Sequence, residues 1–286
     1  TADDITALNK IATLFQASGT GTMTATVSSE KSILVSGAVG SEAATLGTDT
    51  TDTINITVSD ALTPNEWATI KAKTGGTVTA SGGFSAALSQ YASTTALETN
   101  WDNAVTANPN TAVAITDTKL TTSDHITALN LIANDATHTG ANAKITATVE
   151  AALATLGVDT LKTSSSDPVA YTVTDTDLVN ADISDLNTLK GKTAGVVTIG
   201  GVTATASQLS SLNTGTTDDV TLTASGSTNT VAEALVLARK TNALTNISIV
   251  GITDTQAQIS GTGVANTATG LSELKTLVGS SPTTAQ

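Results

Sequence analysis

Apolar residues return along this chain at two spacings. Near the amino terminus Ile5, Leu8, Ile11, Ala12 and Phe15 fall at steps of three and four, so an α-helix gathers them on one face and leaves polar residues on the other. Ile126, Leu129, Ile132 and Ala133 repeat that stripe, and Ile183, Leu186 and Leu189 make a shorter one. Helix starts are marked by a Ser or Thr followed three residues later by Glu or Gln, a pairing that satisfies two otherwise unbonded amides. Thr63 with Glu66, Thr95 with Glu98, Thr205 with Gln208 and Thr230 with Glu233 fit it, and Pro64 adds a preferred first helical residue.

The second spacing is the alternation of short strands. Runs rich in Thr, Val and Ile predict strands over 23–27, 54–58, 77–80, 112–116, 145–149, 169–173, 196–199, 220–223 and 247–250. Threonine suits them because its branched Cβ fits a pleated surface while its hydroxyl keeps the outer face wet. Strands alternating with helices of about three turns point to crossover connections and a mainly parallel sheet.

The chain also resembles itself. Asp4-Ile5-Thr6-Ala7-Leu8-Asn9 returns about 121 residues later as His125-Ile126-Thr127-Ala128-Leu129-Asn130, and Thr24-Ala25-Thr26-Val27 returns as Thr146-Ala147-Thr148-Val149. Lys71-Ala72-Lys73-Thr74-Gly75-Gly76 is matched by Lys190-Gly191-Lys192-Thr193-Ala194-Gly195, and Thr57-Val58-Ser59-Asp60 by Thr172-Val173-Thr174-Asp175. The expected organisation is therefore one repeat copy over 3–121, a second over 122–225, and a partial third copy with a tail over 226–286. The expected fold class is α/β, with repetitive short helix–strand units stacked as an elongated solenoid or as tandem small repeat domains, each unit covering its neighbour's apolar face.

Composition sharpens this. The mean residue mass is about 99 Da, below the usual figure for soluble proteins, and aromatic residues are only 2% of the chain, so many thin layers are expected rather than one bulky core. Twelve basic residues stand against 25 acidic ones, a net charge of −13, which argues against nucleic acid and anionic membrane surfaces as partners. Cysteine is absent, which excludes disulfides and thiolate chemistry and is compatible with export. No apolar run reaches about 18 residues, so membrane insertion is not expected. With no leader-like start, Thr1 reads as the beginning of a mature chain or of an excised fragment.

The stretch Ser184-Asp185-Leu186-Asn187-Thr188-Leu189-Lys190-Gly191-Lys192-Thr193-Ala194-Gly195-Val196-Val197-Thr198, continued by Ala204-Thr205-Ala206-Ser207-Gln208-Leu209, resembles the tandem repeats of giant Ala/Thr/Asp-rich cell-surface proteins of marine cyanobacteria. It is similar as well to repeats in appendage proteins of the virions of phages that infect those cells. The resemblance implies exterior structural material. Some members of the family carry a Gly-Gly-x-Gly-x-Asp calcium nonapeptide; this sequence has none, so no calcium ligand set comes with the resemblance.

Candidate chemistry is sparse. The histidines are His125, at a predicted helix start where the first copy has Asp4, and His138, in a Gly/Thr-rich loop where an exposed turn residue is expected. Carboxylate pairs at Asp49 with Asp52, Asp175 with Asp177, and Asp218 with Asp219 offer hard oxygen ligands for calcium, although turn and cap roles are commoner for such residues. Gly19-Thr20-Gly21 and Gly261-Thr262-Gly263 lack a phosphate-loop lysine and read as turns. Trp67 reads as a core residue, its counterpart being Leu186, whereas Trp101 with Tyr91 lies in the less repetitive stretch 84–105, the best candidate for a contact surface, with stacking on a glycan the lesser reading.

No catalytic, cofactor-binding or metal-binding residue is assigned, and no enzyme is expected. The expected function is an extracellular structural repeat protein: surface layer, filament or adhesive scaffold at a cell surface, associating with itself into a filament or lattice. The alternatives are a phage virion appendage or tail or capsid decoration, and an adhesion module that binds glycan or calcium.

Overall fold

The structure, a computed structural model, describes residues 1–18, 21–36, 43–226, 228–249, 251–254 and 283–285. The chain is mixed α/β with parallel sheets and no closed barrel among the described residues. It divides into two units, Thr1–Lys119 with Ser123–Ala147, and Leu120–Thr122 with Thr148–Gln286. The expected turns at 19–20 and 261–263, and most of the third copy, lie outside the described residues.

The first unit opens with α1 (Ala2–Ser18), β1 (Thr24–Ser29), the single turn α2 (Lys31–Leu34) and a small antiparallel pair, β2 (Val35–Ser36) with β3 (Ala43–Ala44). It continues through β4 (Thr53–Val58), α3 (Pro64–Lys71), β5 (Val78–Ala80), β6 (Phe84–Ala86), α4 (Thr99–Ala107), β7 (Val113–Ile115), α5 (Ser123–Ala133) and β8 (Ile145–Thr146). Strands β1, β4 and β5 form one parallel sheet; β6, β7 and β8 form another, with Leu62 bridging to Phe84. The register sets Val27 beside Ile56 and Ile56 beside Val78, so inward-facing residues stack from strand to strand. Outward positions such as Thr53, Asn55 and Thr57 are exposed or half-buried, the pattern expected of a sheet with one wet face.

In the second unit β9 (Thr148–Ala151) is followed by α6 (Leu153–Leu156), β10 (Ala170–Val173), β11 (Leu178–Val179), α7 (Ile183–Lys190) and the long β12 (Val197–Thr205). Then come α8 (Ala206–Leu209), β13 (Asp219–Ser225), α9 (Val231–Leu237), β14 (Ile247–Ile249), β15 (Ile252–Asp254) and β16 (Thr283–Ala285). The main sheet runs β14-β13-β12-β10-β9, all parallel, with β11 also on β12. Its interior column of Val149, Tyr171, Val197 and, beyond them, Ile199, Val220 and Leu222 is closed to solvent.

Several expectations change. The capping boxes at Thr63, Thr205 and Thr230 are formed, but Thr95 caps nothing: α4 starts at Thr99 with Glu98 as its cap residue. Ser93 explains why, since its hydroxyl takes the amides of Thr95 and Ala96 into a turn before the helix can begin. The expected strand 145–149 is interrupted at Ala147. The strand expected to stop at Ile199 instead runs on to Thr205, with a register shift between Ile199 and Val202. At Gly201 a Cβ would lie 2.7 Å from the Thr176 carbonyl oxygen, so glycine here permits close approach and does not end the strand. Finally, only Ile5 and Ala12 of the α1 stripe are buried; Ile11 and Phe15 are exposed.

Candidate functional site

Of the candidate calcium carboxylates, Asp49, Asp52, Asp175 and Asp218 accept backbone amides. Asp52 accepts the Met23 amide through Oδ1 (2.9 Å) and the Asp49 amide through Oδ2 (3.3 Å). Asp49 accepts both the amide and the hydroxyl of Thr51, and those bonds hold its carboxyl below the usual carboxylate range. Asp218, fully buried, accepts the amides of Val197 (2.9 Å) and Gly215 (2.9 Å) and the Lys190 ammonium (2.8 Å). Asp219 accepts the side-chain amide of Asn246 at 2.7 Å. Asp175 accepts the Leu153 amide at 2.6 Å. Among the described residues no three His, Asp or Glu side chains gather where they could hold a metal ion.

Asp175 belongs to a series. The amide of Lys31 donates to Asp60, that of Leu88 to Asp117, that of Leu153 to Asp175 and that of Val231 to Asp254. In each case an Asp two residues past a strand's last inward side chain (Val58, Ile115, Val173, Ile252) reaches back to the first amide of a helix or 3-10 turn earlier in the chain. A carboxylate at a helix start satisfies an unbonded amide and meets the positive end of the backbone dipoles. The recurring Val/Ile-Ser/Thr-Asp run was the available signal, and spacing alone did not reveal that its acid links successive units.

A second series was missed. Thr74, fully buried, takes the amides of Ile54 and Gly76 on Oγ1, each at 2.8 Å, and donates to the Ile54 carbonyl at 2.7 Å. Its repeat counterpart Thr193 takes the Gly195 amide at 2.7 Å and donates to the carbonyls of Asp167 and Val169. The glycine two residues on is required in both copies, because a Cβ would fall 2.4 Å from the Ile54 oxygen at Gly76 and 2.3 Å from the Val169 oxygen at Gly195. Thus the repeated Lys-Thr-x-Gly segment clamps a helix exit onto the preceding strand.

The aromatic candidates are interior. Trp67 is buried and donates Nε1–H to the Val78 carbonyl at 3.1 Å. Trp101 is also buried, edge-on to Phe84, Tyr91 and His138 with ring centroids 5.4, 5.1 and 5.8 Å away, and its Nε1–H finds no acceptor. Phe84, Tyr91 and Trp101 therefore present no flat aromatic face for a glycan to stack on. Burial drives this outcome: these rings supply far more apolar area than the surrounding alanines. His138 is likewise not an exposed turn residue; it is half-buried, with Nε2 2.8 Å from the Thr111 carbonyl oxygen. His125 is half-buried in the first turn of α5.

A groove between α3 and α4, lined by Trp67, Ala68, Lys71, Asn103 and Thr106, holds no acid, base and nucleophile in reach of one another. Its charged side chain, Lys71, donates to the carbonyls of Thr74 (3.1 Å) and Gly76 (2.8 Å). A depression near α6 gathers Asp159, Asp175, Asp182 and Asp185; of these, Asp182 takes the Val179 amide at 2.8 Å and Asp175 the amide already named. No helix among the described residues is long and apolar enough to cross a membrane. No family model, curated protein or solved structure matches the chain.

Proposed function

We propose that this chain is an extracellular structural repeat protein, a length of surface layer, filament or adhesive scaffold without catalytic activity. The observation that carries the reading is the aspartate series at Asp60, Asp117, Asp175 and Asp254, in which side chains able to do chemistry instead tie one helix–strand unit to the one before it. The parallel pairing of consecutive strands with helices between them supports the finer fold, an elongated stack in which each unit covers its neighbour. A net charge of −13 suits such material, keeping it hydrated and apart from nucleic acid.

Small-angle scattering tests this. A compact chain of 286 residues has a radius of gyration of about 19 Å, and an elongated stack exceeds it clearly. A measured value near 19 Å would overturn the scaffold reading.

A further inference from the structure

The chain has one Asp–Pro bond, Asp167–Pro168, and the internal repeat supplies its comparison. Asp52, Asp167 and Asp218 each close the turn that leads into a strand: Oδ2 accepts the amide three residues earlier (Asp49, Ser164, Gly215), and the backbone carbonyl accepts an amide just past a helix (Gly75, Ala194, Asn242). The following residue is Thr53 in the first turn and Asp219 in the third; proline follows only in the second. Asp60 and Asp175 lie eight positions beyond Asp52 and Asp167, which makes Pro168 the counterpart of Thr53.

The carbonyl of the Asp–Pro bond is the best supplied with donors of the three. The amides of Ala194 and Val169 both reach the Asp167 carbonyl oxygen at 2.8 Å, and the Thr193 hydroxyl lies 3.0 Å from it. The Asp52 oxygen has the Gly75 amide at 2.8 Å and the Thr74 hydroxyl at 3.2 Å, but the Ile54 amide, counterpart of Val169, goes to Thr74 instead. Proline's fixed φ suits the tight turn that brings the Val169 amide back onto Asp167. Donors at these distances stabilise negative charge that develops on a carbonyl oxygen under attack. Asp167 is buried and Pro168 exposed, so the acyl side of the bond lies in the fold and the nitrogen side at the surface.

We propose that Asp167–Pro168 is a self-cleavage site, a single-turnover step that goes beyond the scaffold reading and does not rest on it. A carboxylate oxygen of Asp167 adds to the carbonyl carbon of the same residue and closes a five-membered ring, while Ala194, Val169 and Thr193 meet the charge on the carbonyl oxygen. Nucleophile and carbonyl share one residue, so rotation about its own bonds brings them together and releases the Ser164 amide and hydroxyl from Oδ2. The carbon–nitrogen bond to Pro168 breaks, and the nitrogen takes a proton from solvent and leaves as a secondary amine. Water then opens the cyclic anhydride into the side-chain carboxyl and a new terminal carboxyl, so one water is consumed overall. Proline directs this outcome in two ways: its tertiary amide nitrogen takes a proton more readily than a secondary one, and without an N–H it does not attack the aspartate side chain to form a succinimide. The parallel pairing of β9 with β10 spans the break, so the two pieces stay together in the fold.

Intact-mass measurement under denaturing conditions tests this, after incubation of the chain at about pH 5 and about pH 7 with circular dichroism confirming the fold. The expected result is two products, one ending at Asp167 and one beginning at Pro168, whose masses sum to 28.4 kDa plus one water. They should form faster at the lower pH, and at least about tenfold faster from the folded chain than from the same chain unfolded in urea. Pro168→Thr, which puts the residue type of Thr53 at the matching position, should stay whole. A folded chain that stays whole at this bond, cleavage that is as fast in urea, or a Pro168→Thr chain that breaks there at the same rate overturns the inference. If Pro168→Thr does not fold, the comparison of folded with unfolded wild type still decides.

Discussion

In the first unit, Phe84, Tyr91 and Trp101 meet edge to face and are closed to solvent, with the His138 ring completing the cluster. In the second, the interior column is Val, Leu and Ile, broken by the single ring of Tyr171. The polar links nevertheless agree: Thr74 and Thr193, each two residues before its glycine, clamp a preceding strand in the same manner. What differs between the units is how the apolar space is filled, and what persists is how backbone groups are satisfied. An unpaired buried amide costs about 1–3 kcal/mol wherever it occurs, whereas apolar volume can be filled in many ways.

The strongest way to break this comparison is at the aromatic cluster. Trp101→Ala should cost about 3–5 kcal/mol, read as a fall in the urea midpoint at unchanged slope. A shift no larger than that of Leu222→Ala would show that the cluster adds nothing beyond an ordinary aliphatic layer.

The polar links test the other half. Thr74→Val and Thr193→Val preserve shape and β-branching while leaving backbone groups of the preceding strand unpaired, so each should cost about 1–3 kcal/mol. Equal losses within about 0.5 kcal/mol are expected if the two clamps are equivalent. Calorimetry finding one loss near zero would end the equivalence.

Much of this fold is legible in the sequence. Apolar steps of three and four located α1, α5 and α7, and local capping chemistry located the starts at Thr63, Thr205 and Thr230, because those signals depend on neighbours in the chain. Thr95 fails for a local reason too, as Ser93 takes the amides of Thr95 and Ala96 and the Tyr91 carbonyl takes the Glu98 amide that Thr95 would have accepted. Asp60 and Asp175 are legible in the sequence as a repeated pair, but neither they nor Asp117 and Asp254 are legible as links, since the amide that Asp60 accepts belongs to Lys31, in another unit of the repeat. Trp101 and His138 were hidden by their setting in a loop-like, weakly repetitive stretch, where nothing local reports that two rings will meet across 37 positions. The exposure of Ile11 and Phe15 is the converse case: their spacing is that of a buried face, and burial depends on a neighbour the first copy does not have among the described residues.

The smallest effect at neutral pH sharpens the comparison through its two tyrosines. Burial pushes the Tyr171 phenol up to about 12 against 10 for a free side chain, partly offset by its 2.7 Å bond to Thr163 and reinforced by the charge of Asp167. Between these values the unfolded chain releases the proton and the native chain keeps it, so stability is intact below pH 10 and is lost as pH rises toward 12. A rise from 10 to about 12 corresponds to a loss of about 3 kcal/mol, which Tyr171→Phe cannot suffer. At pH 8 the variant should be the weaker protein by about 1 kcal/mol, having lost the Thr163 bond, and by pH 12 the order should reverse. Taking the difference between wild type and variant cancels every other alkaline group. Burial pushes Tyr91, in the first unit, further in the same direction, so Tyr91→Phe should produce the larger reversal. A difference that stays flat through pH 12 for both variants would mean that these phenols ionise as freely in the native protein as in the unfolded chain, and that neither interior is as closed as its packing indicates.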